Sequence, residues 1–282
     1  CSSGNTITTI DSTGDVGQYT SIKIGTDGLP VISYYDVTNT SLKVAKCGTI
    51  DCSSGNTLTT VDNTGTDTGR YTSIAIGSDG YPVISYHDVT GADLEFVKCG
   101  NAACSADNTL TTVTSSGSTG QYSAIAVGTD GLPIIVYQNA LATWVTHCGN
   151  TTCTSGNVTT TLLITTTSGL YNSIAIGTDG KPVIASYYST GTNLRIYHCL
   201  DQACIDSDGL SAVGGTAIGG TSITMDRDGY PIITYYDDTN DDLVAIKCLT
   251  DGCGAGTTFT GTSTTIDSSG SVGQYPGVTI GS

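Results

Sequence analysis

The 282-residue chain reads as an all-β protein, a β-propeller of four-stranded antiparallel blades. Two observations predict it. One phrase recurs with a period near fifty residues, and inside each copy the apolar residues alternate with a period of two while no stretch shows a helical period. The phrase is Tyr-Thr-Ser-Ile-x-Ile-Gly-x-Asp-Gly-x-Pro-Val-Ile-Ser-Tyr, followed by a short strand and Cys-x4-Cys. It runs from Tyr19 to Tyr34, Tyr71 to Tyr86, Tyr122 to Tyr137, Tyr171 to Ser186 and, with drift, Thr221 to Tyr235. A further copy starts at Tyr275 and reaches Ser282. The copies span about 1–51, 52–103, 104–152, 153–203 and 204–252, with a partial one at 253–282, and are expected to form one domain over 1–282.

Each copy holds four strand-like segments. In the first, Thr6 to Ile10 is β-branched throughout. Tyr19 to Ile24 sets Ile22 and Ile24 against Ser21 and Lys23. Val31 to Tyr35 and Leu42 to Lys46 complete the set. Between the second and third lies Gly25-Thr26-Asp27-Gly28-Leu29-Pro30, where Asp-Gly signals a tight turn because Gly takes φ > 0 without penalty. Pro30, Pro82, Pro133, Pro182 and Pro231 each open the third segment, where a missing N–H is tolerated. Four antiparallel strands per repeat describe one propeller blade. A solenoid coil has a shorter period, and isolated hairpins bury too little apolar surface.

The Cys-x4-Cys loop joins the fourth segment of one copy to the first of the next. A blade is therefore expected to run second, third and fourth segment, then the first segment of the following copy on the outside. About six blades result: five complete, and a sixth split between Thr6–Ile10 as outer strand and Tyr275–Ser282 as inner strand.

Ten of the eleven cysteines form pairs of one spacing: Cys47/Cys52, Cys99/Cys104, Cys148/Cys153, Cys199/Cys204 and Cys248/Cys253. Such pairs in a Thr/Ser/Gly-rich chain read as disulfides made in an oxidising compartment. The competing zinc reading lacks a second pair or a histidine at ligand spacing. Cys1 aligns with the second cysteine of each pair and is left unpaired or intermolecular. A lipidated N-terminal cysteine is the other reading of it. Asn39, Asn150 and Asn157 head sequons, so they are candidate glycosylation sites on an extracellular or cell-surface protein.

The net charge of −16 argues against nucleic acid and anionic membrane surfaces as partners. No apolar run is long enough to span a membrane, and any secretory leader is expected upstream of Cys1.

Gly17 to Ile22, Asp27 to Asp36 and Leu42 to Ala45 resemble the tandem repeats of secreted and cell-surface prokaryotic β-propeller proteins. The resemblance implies the propeller fold and a surface location. The Asp-Gly turn also resembles a relaxed Asp-box of sialidase-type propellers, without that motif's Ser and aromatic.

A glycosidase needs paired carboxylates. Glu95 is the sole glutamate, in mid-strand at the position of Lys43, and is expected to be exposed. Arg70, Arg195 and Arg227 occupy three different repeat positions, so no arginine cluster is expected. His147 and His198 stand where Lys46, Lys98 and Lys247 do, and His87 stands where Tyr35 and Tyr236 do. They read as ordinary variants of a repeat position. The repeated turn aspartates, such as Asp27, need no function beyond the turn.

Calcium is the one cofactor candidate, at Asp226 and Asp228 and at Asp237, Asp238, Asp241 and Asp242, although neither group matches an EF-hand loop. The recurring Tyr and Asp at the end of the third segment offer a second chemistry. Tyr35, Asp36, His87, Asp88, Tyr188, Tyr236 and Asp237 are candidates for glycan binding, against the alternative that these rings are core. With no catalytic set assembled, the expectation is a non-enzymatic extracellular structural or adhesive protein, a filament or surface-layer subunit that self-associates through an open blade edge. The alternative is a glycan-binding lectin-type propeller.

Overall fold

The computed structural model describes residues 4–64, 67–140, 142–163, 168–188, 193–212, 218–255 and 258–281. Cys1 lies outside them. All regular structure among the described residues is β, in five four-stranded antiparallel sheets and one two-stranded hairpin. This is the expected propeller class. The chain divides into two compact units, Cys1–Gly120 with Thr151–Thr154, and Gln121–Asn150 with Ser155–Ser282.

The first unit holds two blades. One is β1 (Val16–Ile24), β2 (Pro30–Asp36), β3 (Ser41–Lys46) and β4 (Thr57–Asp62). The other is β5 (Thr68–Ile76), β6 (Pro82–Asp88), β7 (Asp93–Lys98) and β8 (Thr109–Thr114). Each is paired in that order, so the outermost strand is the first segment of the following copy, as the cysteine loops imply. The core joins β2 and β3 to β5, β6 and β7 through Val31, Leu42, Val44, Ile74, Ile84, Tyr86 and Val97.

The second unit holds three blades. The first is built from β9 (Thr119–Val127), whose first two residues belong to the other unit, with β10 (Pro133–Asn139), β11 (Ala142–His147) and β12 (Val158–Leu163). The next is β13 (Ser168–Ile176), β14 (Pro182–Tyr188), β15 (Asn193–Cys199) and β16 (Ser207–Ala212). The last is β17 (Ile218–Met225), β18 (Pro231–Asp237), β19 (Asp242–Cys248) and β22 (Gly261–Asp267), which follows the small hairpin β20 (Gly254–Ala255) and β21 (Thr258–Phe259). Ile184, Ile196, Ile233 and Ile246 are fully buried in its cores.

The turns follow their residues. Gly28 takes φ 77°. The Leu29 N–H donates to Asp27 Oδ1 at 3.0 Å, and Lys46 Nζ lies 2.9 Å from Asp27 Oδ2. The equivalent side-chain contact closes the turn in the next three blades, Lys98–Asp79, His147–Asp130 and His198–Asp179; in the last blade Lys247 lies 2.7 Å from Asp226, at the position of Gly25, and 3.6 Å from the turn aspartate Asp228. The histidines therefore do the work of the lysines they replace. Disulfides Cys47–Cys52, Cys99–Cys104, Cys199–Cys204 and Cys248–Cys253 clip the loops after the third strand of their blades. Cys148 and Cys153 are also disulfide-bonded. Among the described residues no helix is long and apolar enough to cross a membrane.

One expectation is corrected. Thr6–Ile10 and the described part of Tyr275–Ser282 are not strands. A strand is held by its ladder bonds to a neighbour, and no described strand pairs with either segment. Among the described residues neither segment joins one of the five four-stranded sheets.

Candidate functional site

Cross-strand register places one side chain from each strand in a row. In the second blade Tyr86 faces Glu95 and Glu95 faces Thr112. Tyr86 is fully buried, and a buried phenol needs a partner. It finds one in the outer strand of the preceding blade. There Asp62 ends β4, is 5% exposed, and accepts the Tyr86 hydroxyl at 2.9 Å and the Thr64 N–H at 3.2 Å. Glu95 is half-buried and accepts the Thr112 hydroxyl at 2.7 Å. Asp88, at the end of β6, accepts the N–H groups of Thr90 and Gly91. Asp62, Asp88 and Glu95 line one cavity of about 210 Å³ with Thr64, Thr68 and Thr112.

Burial pushes the Glu95 carboxyl up, the charges of Asp93, Asp62 and Asp88 add to this, and the Thr112 hydrogen bond opposes it; the result is about 7. Burial and the neighbouring Asp88 likewise raise Asp93. Glu95 thus keeps its proton to near neutrality beside other carboxyls. That is the condition for a general acid paired with an ionised partner.

The first blade repeats the frame without this chemistry. Tyr34 donates to Asp11 at 2.7 Å, as Tyr86 does to Asp62. The position of Glu95 is taken by Lys43, which lies 2.5 Å from Asp11 and 3.7 Å from Asp36. In the second unit the same position holds Trp144, Arg195 or Val244, opposite Tyr137, Ser186 and Tyr235.

Glu95 is therefore not the exposed mid-strand residue expected of it. Alternation tells which face a side chain takes but not how deep it lies. The signal that could have found the site was the shared Asp of Asp11 and Asp62, read together with a lone Glu where the first copy has Lys.

The glycan-binding candidates do not converge. Tyr35 and His87 are buried, and so is Tyr236. The Tyr35 hydroxyl donates to Asp67 at 2.6 Å. His87 Nδ1 is 3.2 Å from the Asp93 carbonyl, and burial lowers its pKa. The Tyr236 hydroxyl donates to Asp241. Tyr188 lies under the Arg195 guanidinium, 4.7 Å from its ring centroid. Asp36 and Asp237 hold turns through Asn39 and Asn240. Only Asp88 reaches the carboxyl cavity.

Among the described residues no group of three or more His, Cys, Asp or Glu is arranged to hold a metal ion. Of the calcium candidates, Asp226 and Asp228 face Lys247. Asp238 and Asp242 do not join Asp237 and Asp241 in a ligand cluster. At the sequons, Asn39 is bonded to Asp36, Asn150 donates to the Ser155 hydroxyl, and Asn157 accepts the Gly149 N–H.

No protein-family model matches the chain, and neither does any curated protein sequence. Solved structures do match in fold. A protein of unknown function from Dyadobacter fermentans aligns over 91% of this chain and 84% of its own, with TM-score 0.66 and 9% identity. The GH93 α-L-arabinofuranosidase of Fusarium graminearum, solved with arabinobiose, aligns over 86% and 79%, with TM-score 0.55 and 12% identity. A mutant of AofleA from Arthrobotrys oligospora aligns over 89% and 72%, with TM-score 0.55 and 11% identity.

At these identities the likeness is one of fold. It corrects the expectation of a non-enzymatic structural or adhesive subunit, because this propeller architecture is shared with glycoside hydrolases.

Proposed function

We propose that the chain is a carbohydrate-active hydrolase whose acid–base site is the carboxyl cavity of the second blade. The observation that carries this is Glu95, the one glutamate, held protonated up to about 7 in a cavity that also holds Asp62 and Asp88. Glu95 donates its proton to the glycosidic oxygen as the bond from that oxygen to the anomeric carbon breaks; water then adds to the anomeric carbon and gives a proton back to Glu95. Asp62 is the partner carboxyl, buried and oriented by Tyr86 and Thr64, and it faces the positive charge that develops on the sugar. The threonine hydroxyls of the cavity are suited to sugar hydroxyls. The fold shared with arabinofuranosidases makes arabinofuranosides the first substrates to try. The cysteine clips support secretion, where polysaccharide is met.

The test is hydrolysis of arabinan, arabinoxylan and aryl arabinofuranosides by the intact chain. Glu95→Gln keeps the shape and removes the acid, so turnover of unactivated substrates should fall about 10²–10⁴-fold. Aryl substrates with good leaving groups should lose far less, because they need no proton. Equal loss on both substrate classes, or full activity in the variant, would refute Glu95 as the acid.

A further inference from the structure

The tyrosine that opens each repeat phrase has a left-handed backbone: Tyr19, Tyr71, Tyr122, Tyr171 and Tyr275 have φ between 49° and 54°. Held this way, neighbouring rings meet. Tyr19 and Tyr71 stand 4.6 Å apart in the first unit, and Tyr122 and Tyr171 stand 5.0 Å apart in the second. The fifth copy breaks the series. Its residue is Gly220, with φ 70°, and a Cβ there would stand 2.9 Å from both Tyr275 Cα and Pro276 Cδ, so no side chain fits. With no ring between them, Tyr171 and Tyr275 pack directly on each other, their centroids 5.9 Å apart.

Beside this pair lies a cavity of about 300 Å³. Tyr171, Tyr187, Tyr236 and Tyr275 supply its aromatic walls, and Asp238 and Gln274 supply its polar groups. Both polar residues are exposed, while the Tyr236 hydroxyl is occupied by Asp241 and Ser271. Three properties select the ligand class. The volume is at the low end for small-molecule sites. Aromatic faces pair with the C–H face of a ring. A carboxylate and an amide at the rim accept and donate to adjacent hydroxyls while repelling anions.

We propose that this cavity binds one neutral sugar ring of an oligosaccharide, stacked on Tyr171 and Tyr275 and hydrogen-bonded through Asp238 and Gln274. It holds one carboxylate, so it lacks the pair that cleavage needs. It is a holding site, and it does not depend on the second-blade carboxyls being catalytic. It forms where one copy departs from the repeat.

The test is calorimetric titration and saturation-transfer NMR on the full chain with arabinobiose, xylobiose, cellobiose and maltose, with glycerol and glucuronate as controls. At least one neutral disaccharide should bind, and glucuronate should not. Asp238→Asn and Gln274→Ala should each weaken binding about fivefold or more without changing Tm, since both side chains are exposed. Tyr171→Ala should abolish binding. Glu95→Gln should leave binding unchanged, whatever it does to hydrolysis. No binding by any of the four disaccharides, or binding lost in Glu95→Gln but unaffected in Asp238→Asn and Gln274→Ala, would overturn the assignment.

Discussion

The first two blades hold the same frame and opposite chemistry. In both, a buried tyrosine on the second strand donates to an aspartate delivered before the blade begins, Tyr34 to Asp11 and Tyr86 to Asp62. In the first blade Lys43 answers the aspartate and lies between Asp11 and Asp36. In the second blade Glu95 takes the lysine's place, and the cluster becomes a cavity with surplus carboxyls. The repeat supplies the scaffold, and a single substituted position replaces a structural ion pair with a carboxyl-lined cavity. Chemistry in a repeat protein lies where copies disagree.

Exchanging the two residues tests this directly. Glu95→Lys rebuilds the first blade's ion pair in the second. It should cost hydrolysis about 10²–10⁴-fold while leaving circular dichroism and Tm at pH 8 equal or improved. A loss of fold along with activity would mean that the two frames are not interchangeable. The reverse test is Lys43→Met, which leaves Asp11 buried with no cation. Breaking a buried pair from one side should destabilise the protein by about 3 kcal/mol in urea denaturation, with little effect on hydrolysis.

The two carboxyls should also shape the pH dependence of stability in opposite ways. Burial raises Asp11, but the hydrogen bonds from Lys43, Tyr34 and the Thr13 N–H, with the lysine charge, outweigh it and bring the pKa from 3.8 to about 2. A depressed folded-state pKa adds stability above the unfolded value, and this is lost as pH falls through the folded one. Asp11→Asn should therefore flatten the stability loss between about pH 4 and pH 2, by up to about 2 kcal/mol. Glu95 is raised from 4.5 to about 7, so its contribution is full below 4.5 and is lost as pH rises through 7. Wild type should weaken across that window relative to Glu95→Gln, by about 1–2 kcal/mol after allowing for its partial exposure. Tm measured from pH 4 to 8 in both proteins would show it. A constant difference between them would mean that Glu95 titrates normally.

The strands, the Asp-Gly turns and the order of strands within a blade were legible because each depends on local signals: alternation, Gly-Pro punctuation and the short cysteine loops. The Asp62–Tyr86 bond was not, since it joins residues 24 positions apart across a blade boundary. Glu95 was visible as the lone glutamate, yet nothing in its neighbours revealed depth. Gly220 was visible only as drift in the fifth copy, and its meaning depends on the ring contacts of Tyr171 and Tyr275. The terminal segments misled because sequence likeness to a strand does not supply the neighbour that a strand needs.

The cysteine clips have a mechanical consequence. Each joins residues only 5 apart in sequence, so it withholds no more than about 18 Å of extended chain. A blade pulled from its ends in a single-molecule experiment would therefore yield almost its whole contour length with every sulfur bridge intact. Resistance to such a pull comes from strand ladders opening in turn, while the disulfides guard the corners where a hairpin would otherwise begin to fray.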